Sequence, residues 1–162
     1  MTDYTVRLYQ EHDLGRLYEI DRICFPADMA YSRAELRFYI HHPGSIVRVA
    51  EMECEVVGFV AGLVRGDKTG HVITLDVVPP VRRRGIGSTL MSALHEEFLC
   101  RNVRLAILEV SAEDLTARRF YENIDYEYSE VLPGYYNCRI DACRMVRWFE
   151  PALDRAYRAF AR

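Results

Sequence analysis

In the middle of this chain, after Pro79, the spacing of the apolar residues changes from that of strands to that of a helix, and the position of this change limits the folds open to the chain. Before Pro79 three β-rich stretches follow one another, at 46–52, 56–64 and 72–78. Short polar or glycine-containing turns separate them, which favours antiparallel neighbours in one sheet. After this point the apolar residues recur at helical spacing over 86–98. The pattern predicts an antiparallel meander that passes through a glycine-rich turn into a helix.

The segments on either side show the same two spacings of apolar residues, the period of two of a strand and the period of a helix. Further strands are predicted at 4–9, 105–110, 126–131 and 140–149, and further helices at 14–23, 32–41 and 114–124. A capping-box pattern, Ser32-x-x-Glu35, marks the start of one helix. The tail, 150–162, is amphipathic and predicts a C-terminal helical extension. These elements predict a mixed α/β (α+β) sheet, with an antiparallel first half and a β-helix-β crossover in its second half.

Composition limits the number of domains and the classes of partner. A chain of 162 residues with 50% hydrophobic and 28% charged side chains can bury a core, so we expect residues 1–162 to form one domain. The net charge of −3 argues against a nucleic-acid binder, which would carry a basic excess. No apolar run approaches the ~20 residues of a membrane span, and the first residues do not resemble an export signal. We therefore expect neither a nucleic-acid nor a membrane partner.

The spacing of the cysteines and histidines indicates whether the chain binds a metal and in which compartment it folds. The five cysteines are scattered and contain no C-x-x-C pair, so we expect neither a disulfide framework nor a zinc site, and a reducing cytoplasm fits best. The pairs His41-His42 and His95-Glu96 also lack zinc-ligand spacing, and these residues are predicted to be solvated or to cap helices.

The turn Arg82-Arg83-Arg84-Gly85-Ile86-Gly87 is the sharpest local signal in the chain. Glycine leaves backbone N–H groups uncovered, and the start of a helix carries unsatisfied donors and a positive dipole end. An anion such as phosphate or pyrophosphate is the natural ligand of such a turn. The spacing excludes a Walker loop, and Leu90 stands where a dinucleotide fingerprint needs its third glycine. A tight turn with its arginines in water is the alternative.

The residues around this turn resemble motif A of the GNAT superfamily of acetyl-CoA-dependent N-acetyltransferases. That motif, R/Q-x-x-G-x-G/A, follows a central strand, as here it follows Leu75-Asp76-Val77-Val78. The likeness continues in His71-Val72-Ile73-Thr74-Leu75, Leu108-Glu109-Val110, Ala117-x-x-x-Tyr121 and Ser129-Glu130-Val131-x-Pro133-x-Tyr135-Tyr136. The likeness spans about residues 4–149. Within the superfamily, the chain is most similar to the RimI-like catalytic subunits of protein N-terminal acetyltransferases. The resemblance implies a GNAT fold, a mostly antiparallel sheet of about seven strands flanked by helices.

The resemblance also implies acetyl-CoA as co-substrate, with no metal required. The residues that it places at the acetyl-CoA site are Leu75, Val77, Val78, Arg82, Arg83, Arg84, Gly85, Ile86, Gly87, Ser88, Asp114 and Tyr121. Asp114 stands where the family usually has Asn, and Asp125-Tyr126 stand where it has Gly-Phe. Asp caps helices and tolerates a left-handed backbone, so the same fold is expected.

Three side chains are the candidate catalytic residues. Glu109 lies in an otherwise apolar predicted strand, and by resemblance it is the general base; pairing with an arginine on the sheet face is the alternative. His71 is either a water-mediated base, because imidazole titrates near neutral pH, or a structural histidine at a strand start. Tyr121 lies on the apolar stripe of its helix, and by resemblance it protonates the CoA sulfur; core packing is the alternative. A backbone N–H near Val77 is the implied oxyanion donor.

Aromatic residues in two segments are candidates for binding a peptide. Phe25-Pro26 and Tyr31 lie between the first two predicted helices, and Tyr135-Tyr136 lie in the loop of the last predicted hairpin. These residues are expected to hold the first residues of a substrate by apolar contact and hydroxyl hydrogen bonds, with ordinary loop packing as the alternative.

The sequence thus predicts acetyl transfer to the α-amine of a protein or peptide N-terminus by direct attack in a ternary complex. An α-amine with a pKa of about 7.7–8.0 is partly neutral near pH 7, so its deprotonation is a modest task. A ribosomal protein is one candidate substrate, and a monomer and a homodimer both remain open. The alternatives are acetylation of a small-molecule amine and a non-catalytic CoA-binding interaction module.

Overall fold

A computed structural model describes residues 4–149 of the chain. Seven strands form one sheet: β1 Tyr4–Leu8, β2 Ser45–Met52, β3 Glu55–Val64, β4 Thr69–Val77, β5 Leu105–Ser111, β6 Glu127–Tyr136 and β7 Ile140–Trp148. Their order across the sheet is β1-β2-β3-β4-β5-β7-β6, and only the β4 and β5 pair is parallel. The predicted mixed, mostly antiparallel α/β sheet is confirmed.

Four helices flank the sheet: α1 Leu14–Cys24, α2 Arg33–His41, α3 Ile86–Cys100 and α4 Leu115–Glu122. Helix α2 begins with the predicted capping box, in which the Ser32 hydroxyl accepts from the Glu35 N–H and the Glu35 carboxylate accepts from the Ser32 N–H. Helix α3 connects β4 to β5 and forms the predicted crossover. Within residues 4–149 no helix has the length and hydropathy of a membrane span. The helix predicted for the tail, 150–162, lies outside the described residues.

Helix α3 lies close against β3 and β4 because two glycines leave the sheet face flat there. A Cβ atom placed on Gly62 would lie 2.6 Å from the Leu94 side chain, and one placed on Gly70 would lie 2.8 Å from the ring of Phe98. The predicted apolar face of α3 is buried in this contact and comprises Ile86, Leu90, Met91, Leu94 and Phe98.

Strands β4 and β5 pair only over their first residues and then part. The pairing joins Thr69–His71 to Leu105–Ile107 and stops there. Beyond it, β4 continues to Val77 beside β3, and β5 continues to Ser111 beside β7. A gap therefore opens between two adjacent strands in the middle of the sheet, bounded by β4 on one side and β5 on the other.

Two predictions about local structure were wrong. Strand β6 runs through the segment predicted as a loop, because Tyr136 still pairs with Ile140 after a bulge that contains Gly134 at φ 62°. His95, predicted to be solvated or capping, is buried, with its Nε2 atom 2.9 Å from the Tyr126 hydroxyl. Burial lowers the pKa of His95 to about 3, so its ring is neutral. The pair His95-Glu96 gave no sign of this burial, because the rings of Tyr126 and Phe149 that pack against His95 come from other parts of the fold.

Candidate active site

The turn before α3 carries uncovered backbone donors. Gly85 is the residue that precedes the helix, its φ is 85°, and no side chain caps the first turn. The N–H groups of that first turn therefore have no partner within the helix. Gly87 faces the ring of Phe120, which would lie 3.5 Å from a Cβ at this position, so a larger residue would fill the remaining space. Such a turn fits the diphosphate of a nucleotide-like cofactor.

The three predicted arginines of this turn are exposed, but they are not equivalent. Arg82 folds back, and its Nε atom donates to the Val77 carbonyl at 2.7 Å. Arg83 has a left-handed backbone with φ 66°. Arg83 and Arg84, like Ser88 on the first turn of α3, are therefore the exposed polar side chains that could meet an anion.

At the end of β4, the backbone donor next to Val77 is already engaged. The N–H of Val78 donates to the Val57 carbonyl of β3 at 3.0 Å, so this donor does not face the gap. The thiol of Cys24 donates to the same Val77 carbonyl that Arg82 contacts, at 3.4 Å, and burial raises the pKa of this thiol. Leu75 packs beside Gly87, close to the turn.

Two of the predicted catalytic residues lie in direct contact where β4 and β5 part. The Nε2 atom of His71, on β4, is 2.6 Å from Oε2 of Glu109, on β5. Both side chains are largely buried, and the Glu109 side chain is 5% exposed. Residue His71 is the last one of β4 that pairs with β5, so the contact closes the narrow end of the gap.

A second contact determines which nitrogen of His71 carries the hydrogen. Atom Nη2 of Arg65 is 2.7 Å from Nδ1 of His71. A guanidinium has only donors, so Nδ1 accepts this hydrogen bond and Nε2 carries the hydrogen that is donated to Glu109. In this arrangement His71 is neutral and both ring nitrogens are engaged.

The other oxygen of Glu109 is also paired. Arg144, directly opposite on β7, donates from Nε to Oε1 of Glu109 at 3.1 Å and from Nη1 to Glu130 at 2.8 Å. Burial alone would raise the pKa of Glu109, but the hydrogen bond from His71 and the ion pair with Arg144 outweigh it and hold the pKa below its ordinary value. Glu109 is therefore an ionised carboxylate at neutral pH. The arginine pairing named as the alternative for Glu109 is present, and it leaves the predicted role of general base as a prediction.

Tyr121, the third predicted catalytic residue, is held on α4. Asp114 caps this helix as predicted, accepting from the Ala117 N–H at 2.8 Å. The Tyr121 ring packs against Phe120 and Tyr126 with centroid distances of 5.2 and 5.8 Å. Burial raises the pKa of Tyr121 above its ordinary value, so its hydroxyl keeps its proton at neutral pH and can donate it.

Two tyrosine pairs cover the gap from the two sides. Tyr31 follows the loop after α1, and its hydroxyl donates to the Ile73 carbonyl of β4 at 3.3 Å. Tyr136 donates to the Glu109 carbonyl of β5, also at 3.3 Å. Tyr31 packs edge-on against Tyr39 and Tyr136 against Tyr135, with centroid distances of 5.4 and 5.0 Å. Tyr31 and Tyr136 thus contact the two strands, β4 and β5, that bound the gap.

The segments that carry these tyrosines touch each other. The side-chain amide of Asn137 donates to the Asp28 carbonyl, which joins the β6–β7 hairpin to the loop between α1 and α2. Phe25 and Pro26 lie in the same loop, Phe25 directly after the end of α1 and Pro26 at an exposed position.

Sequence reasoning missed three charged residues of the site: Arg65, Glu130 and Arg144. Alternation along β7 marks a face for Arg144, but only the strand order β5-β7-β6 brings it to Glu109 and Glu130. Nothing local distinguishes Arg65 from other turn arginines. Within the described residues, no group of three His, Cys, Asp or Glu side chains is arranged to hold a metal ion.

Known proteins match this chain over most of its length. The acetyltransferase (GNAT) family model matches residues 14–126. An uncharacterized N-acetyltransferase of Methanocaldococcus jannaschii is 32% identical over 143 residues, covering 88% of this chain and 90% of that protein. An N-alpha-acetyltransferase of Saccharolobus solfataricus is 27% identical over 160 residues, covering 90% and 93%. The crystal structure of Ard1 from Thermoplasma volcanium superposes with a TM-score of 0.82 at 27% identity, covering 92% of this chain and 99% of that one.

The family match covers more than half of the chain, and it includes the turn before α3, the His71–Glu109 pair on β4 and β5, and Tyr121. The sequence motifs, the fold and the relatives all indicate an acetyltransferase, so the interpretation as a non-catalytic CoA-binding module is not retained. The chain belongs to the GNAT family and is an acetyl-CoA-dependent N-acetyltransferase.

Proposed function

We propose that the protein transfers the acetyl group of acetyl-CoA to the α-amine of a protein or peptide N-terminus, by direct attack in a ternary complex. The observation that carries the proposal is the contact between His71 and Glu109 at the narrow end of the gap. The Tyr136 hydroxyl donates to the main-chain carbonyl of Glu109, and His71 lies on β4, the strand that leads to the turn at Gly85. His71 and Glu109 are the polar pair best placed to meet an amine that enters between the two tyrosine pairs.

The pair is the proposed proton acceptor. When the amine nitrogen attacks the thioester carbon, the amine must lose a proton. With His71 neutral, the charges of Arg65 and Arg144 balance those of Glu109 and Glu130, so the cluster has no excess negative charge to hold an ammonium ion. An α-amine becomes neutral much more readily than a lysine amine, whose ordinary pKa is about 10.4. The charge balance therefore favours α-amines.

Tyr121 is the proposed proton donor to the sulfur. As the carbon–nitrogen bond forms and the carbon–sulfur bond breaks, the departing thiolate takes the proton of the Tyr121 hydroxyl. A backbone N–H near Val77 is the proposed donor to the oxyanion. The residues proposed to hold the coenzyme are those of the turn from Arg82 to Ser88, through their main-chain N–H groups and exposed arginines.

The relatives support a peptide substrate over a small-molecule amine. The Saccharolobus solfataricus protein is named an N-alpha-acetyltransferase and shares 27% of its aligned residues with this chain. Exposed Tyr135, at 47% exposure, and the neighbouring α1–α2 loop offer an open border suited to a chain end. A protein N-terminus, with a ribosomal protein as one candidate, is therefore the proposed substrate class.

Release of CoA thiol tests the proposal directly. A panel of peptides that begin with Met, Ser, Ala, Asp or Glu is compared with polyamines and aminoglycosides. We expect steady thiol release with peptides that have a free α-amine. The matched control is the same peptide with a blocked N-terminus and an internal lysine, which should give none. Turnover of the small amines without turnover of any peptide would contradict the proposal and favour a small-molecule substrate.

A further inference from the structure

Arg65 covers the atom of the catalytic pair that has a free lone pair for an incoming proton. Nε2 of His71 already carries a hydrogen and donates it to Glu109, so Nδ1 is the basic nitrogen of the ring. The Arg65 guanidinium is 2.7 Å from that nitrogen. An amine cannot pass its proton to Nδ1 while this contact persists.

Arg65 itself lacks a carboxylate partner within residues 4–149. It lies exposed in the turn between β3 and β4, and its side chain contacts His71 but forms no ion pair there. Asp67 in the same turn accepts a hydrogen bond from the Thr69 N–H at 3.0 Å instead. Arg144, by contrast, is paired with both Glu109 and Glu130. Unlike Arg144, Arg65 therefore forms no direct ion pair with a described acid, although hydrogen bonds from Thr69 and, to a smaller extent, the charge of Arg65 lower the pKa of the exposed Asp67.

A guanidinium binds a carboxylate more strongly than it binds a neutral imidazole nitrogen. The carboxylate offers two parallel charge-assisted hydrogen bonds, whereas Nδ1 offers one acceptor without charge. A substrate residue spans about 3.3–3.6 Å of chain, so only side chains of the first two residues come this close to an amine held beside His71. A carboxylate at one of these positions can take Arg65 away from the ring.

We propose that Arg65 selects N-termini that carry an acidic side chain in their first two residues, and that pairing with this carboxylate uncovers Nδ1 of His71 as the proton acceptor. The inference rests on the proposed function. The substrate carboxylate forms the ion pair with Arg65, the attacking amine gives its proton to Nδ1, and the resulting imidazolium keeps its Nε2 hydrogen on the ionised Glu109. The proton leaves to solvent when the acetylated peptide departs.

The test compares peptides that differ only by Asp against Asn, at the first residue in one pair and at the second residue in the other. For the wild-type enzyme we expect kcat/KM to be about five- to tenfold higher for the Asp member of at least one pair. Arg65→Lys should keep this preference, and Arg65→Glu should abolish or reverse it, with a Lys-bearing peptide now favoured. The matched control is Lys68→Glu, which makes the same charge change in the same exposed turn away from His71.

Arg65→Ala separates selection from a structural role. Because Nδ1 is then uncovered in the free enzyme, kcat/KM for the Asn peptides should rise above the wild-type value while the Asp advantage disappears. A structural role predicts a loss with both peptides, and that result overturns the inference, as does an equal rate for Asp and Asn with the wild type. Absence of turnover with every peptide would instead contradict the proposed function. The two failures are thus distinguishable.

Discussion

Glu109 shows how a single side chain can satisfy two interpretations of a sequence. A charge within an apolar strand is costly unless it is paired, and here it is paired on both oxygens, by His71 and by Arg144. The same pairing orients the His71 ring and keeps the carboxylate ionised. At this site the structural role and the proposed chemical role therefore depend on the same hydrogen bonds.

Replacing Glu109 by Gln should lower turnover by about a hundredfold or more while CoA binding stays unchanged. The amide of Gln has one acceptor oxygen, so its NH2 group must face a donor of either His71 or Arg144, and the ring loses its orientation. Thiol release gives kcat, and titration calorimetry gives CoA affinity. Glu127→Gln, at the exposed start of β6, is the matched control. Wild-type turnover in Glu109→Gln would remove this carboxylate from the chemistry.

Tyr121→Phe should likewise reduce kcat, by roughly 10²–10⁴-fold, if its hydroxyl is the proton source for the thiolate. The ring packing on Phe120 and Tyr126 is retained in this variant, so stability and CoA affinity should change little. Tyr128→Phe, 52% exposed on β6, controls for the loss of a hydroxyl elsewhere. Undiminished turnover would leave Tyr121 as a packing residue only.

At the scale of elements, α3 depends on the flat face that β3 and β4 present to it. We expect Gly70→Ala to destabilise the protein by about 1–3 kcal/mol, because the new Cβ would meet the Phe98 ring at 2.8 Å. At Gly66 a new Cβ would meet nothing within 4 Å, so Gly66→Ala should leave the stability unchanged or raise it by ~0.4–1 kcal/mol, because alanine restricts the unfolded chain more than glycine does. Urea unfolding of both variants checks this, and equal stability would contradict the packing argument.

The elements themselves were predictable where a local pattern encodes them. The capping box before α2, the apolar face of α3 and the Asp114 cap of α4 lie where the sequence places them. Strand β6 was not predictable to its end, because its last pairs depend on Ile140 and a bulge rather than on alternation. Periodicity indicates an element, whereas its length depends on the neighbour that completes its hydrogen bonds.

At the scale of the whole molecule, α1 and β4 bury two carboxyl groups. Asp21 and Asp76 are 0% and 1% exposed, and each has one oxygen without a hydrogen-bond partner within the described residues. Burial raises the pKa of Asp21 to about 6 and raises that of Asp76 well above its ordinary value. The folded protein therefore holds protons that the unfolded chain releases at lower pH.

This linkage predicts the sign of a pH dependence. The contribution of a raised carboxyl pKa is complete below the ordinary pKa of Asp, about 3.9, and is lost as the pH rises through about 6. The Asn side chain is neutral at every pH. At pH 8 the free energy of unfolding of Asp21→Asn should therefore exceed that of the wild type by about 1–3 kcal/mol, and this difference should vanish near pH 4. Urea unfolding at both pH values measures it. The exposed Asp28→Asn is the control, and a pH-independent difference would contradict the linkage.

The sequence by itself determined the order of helices and strands, the glycine turn before α3 and the family, because periodicity, caps and glycine spacing are properties of neighbouring residues. It also indicated Glu109, His71 and Tyr121 as separate candidates. Only the tertiary structure decided that β4 and β5 part after His71, that His71 and Glu109 are in contact, and that Arg65, Arg144 and Glu130 join them. These contacts join residues up to 38 positions apart, and strand order and register, which no local pattern encodes, bring them together.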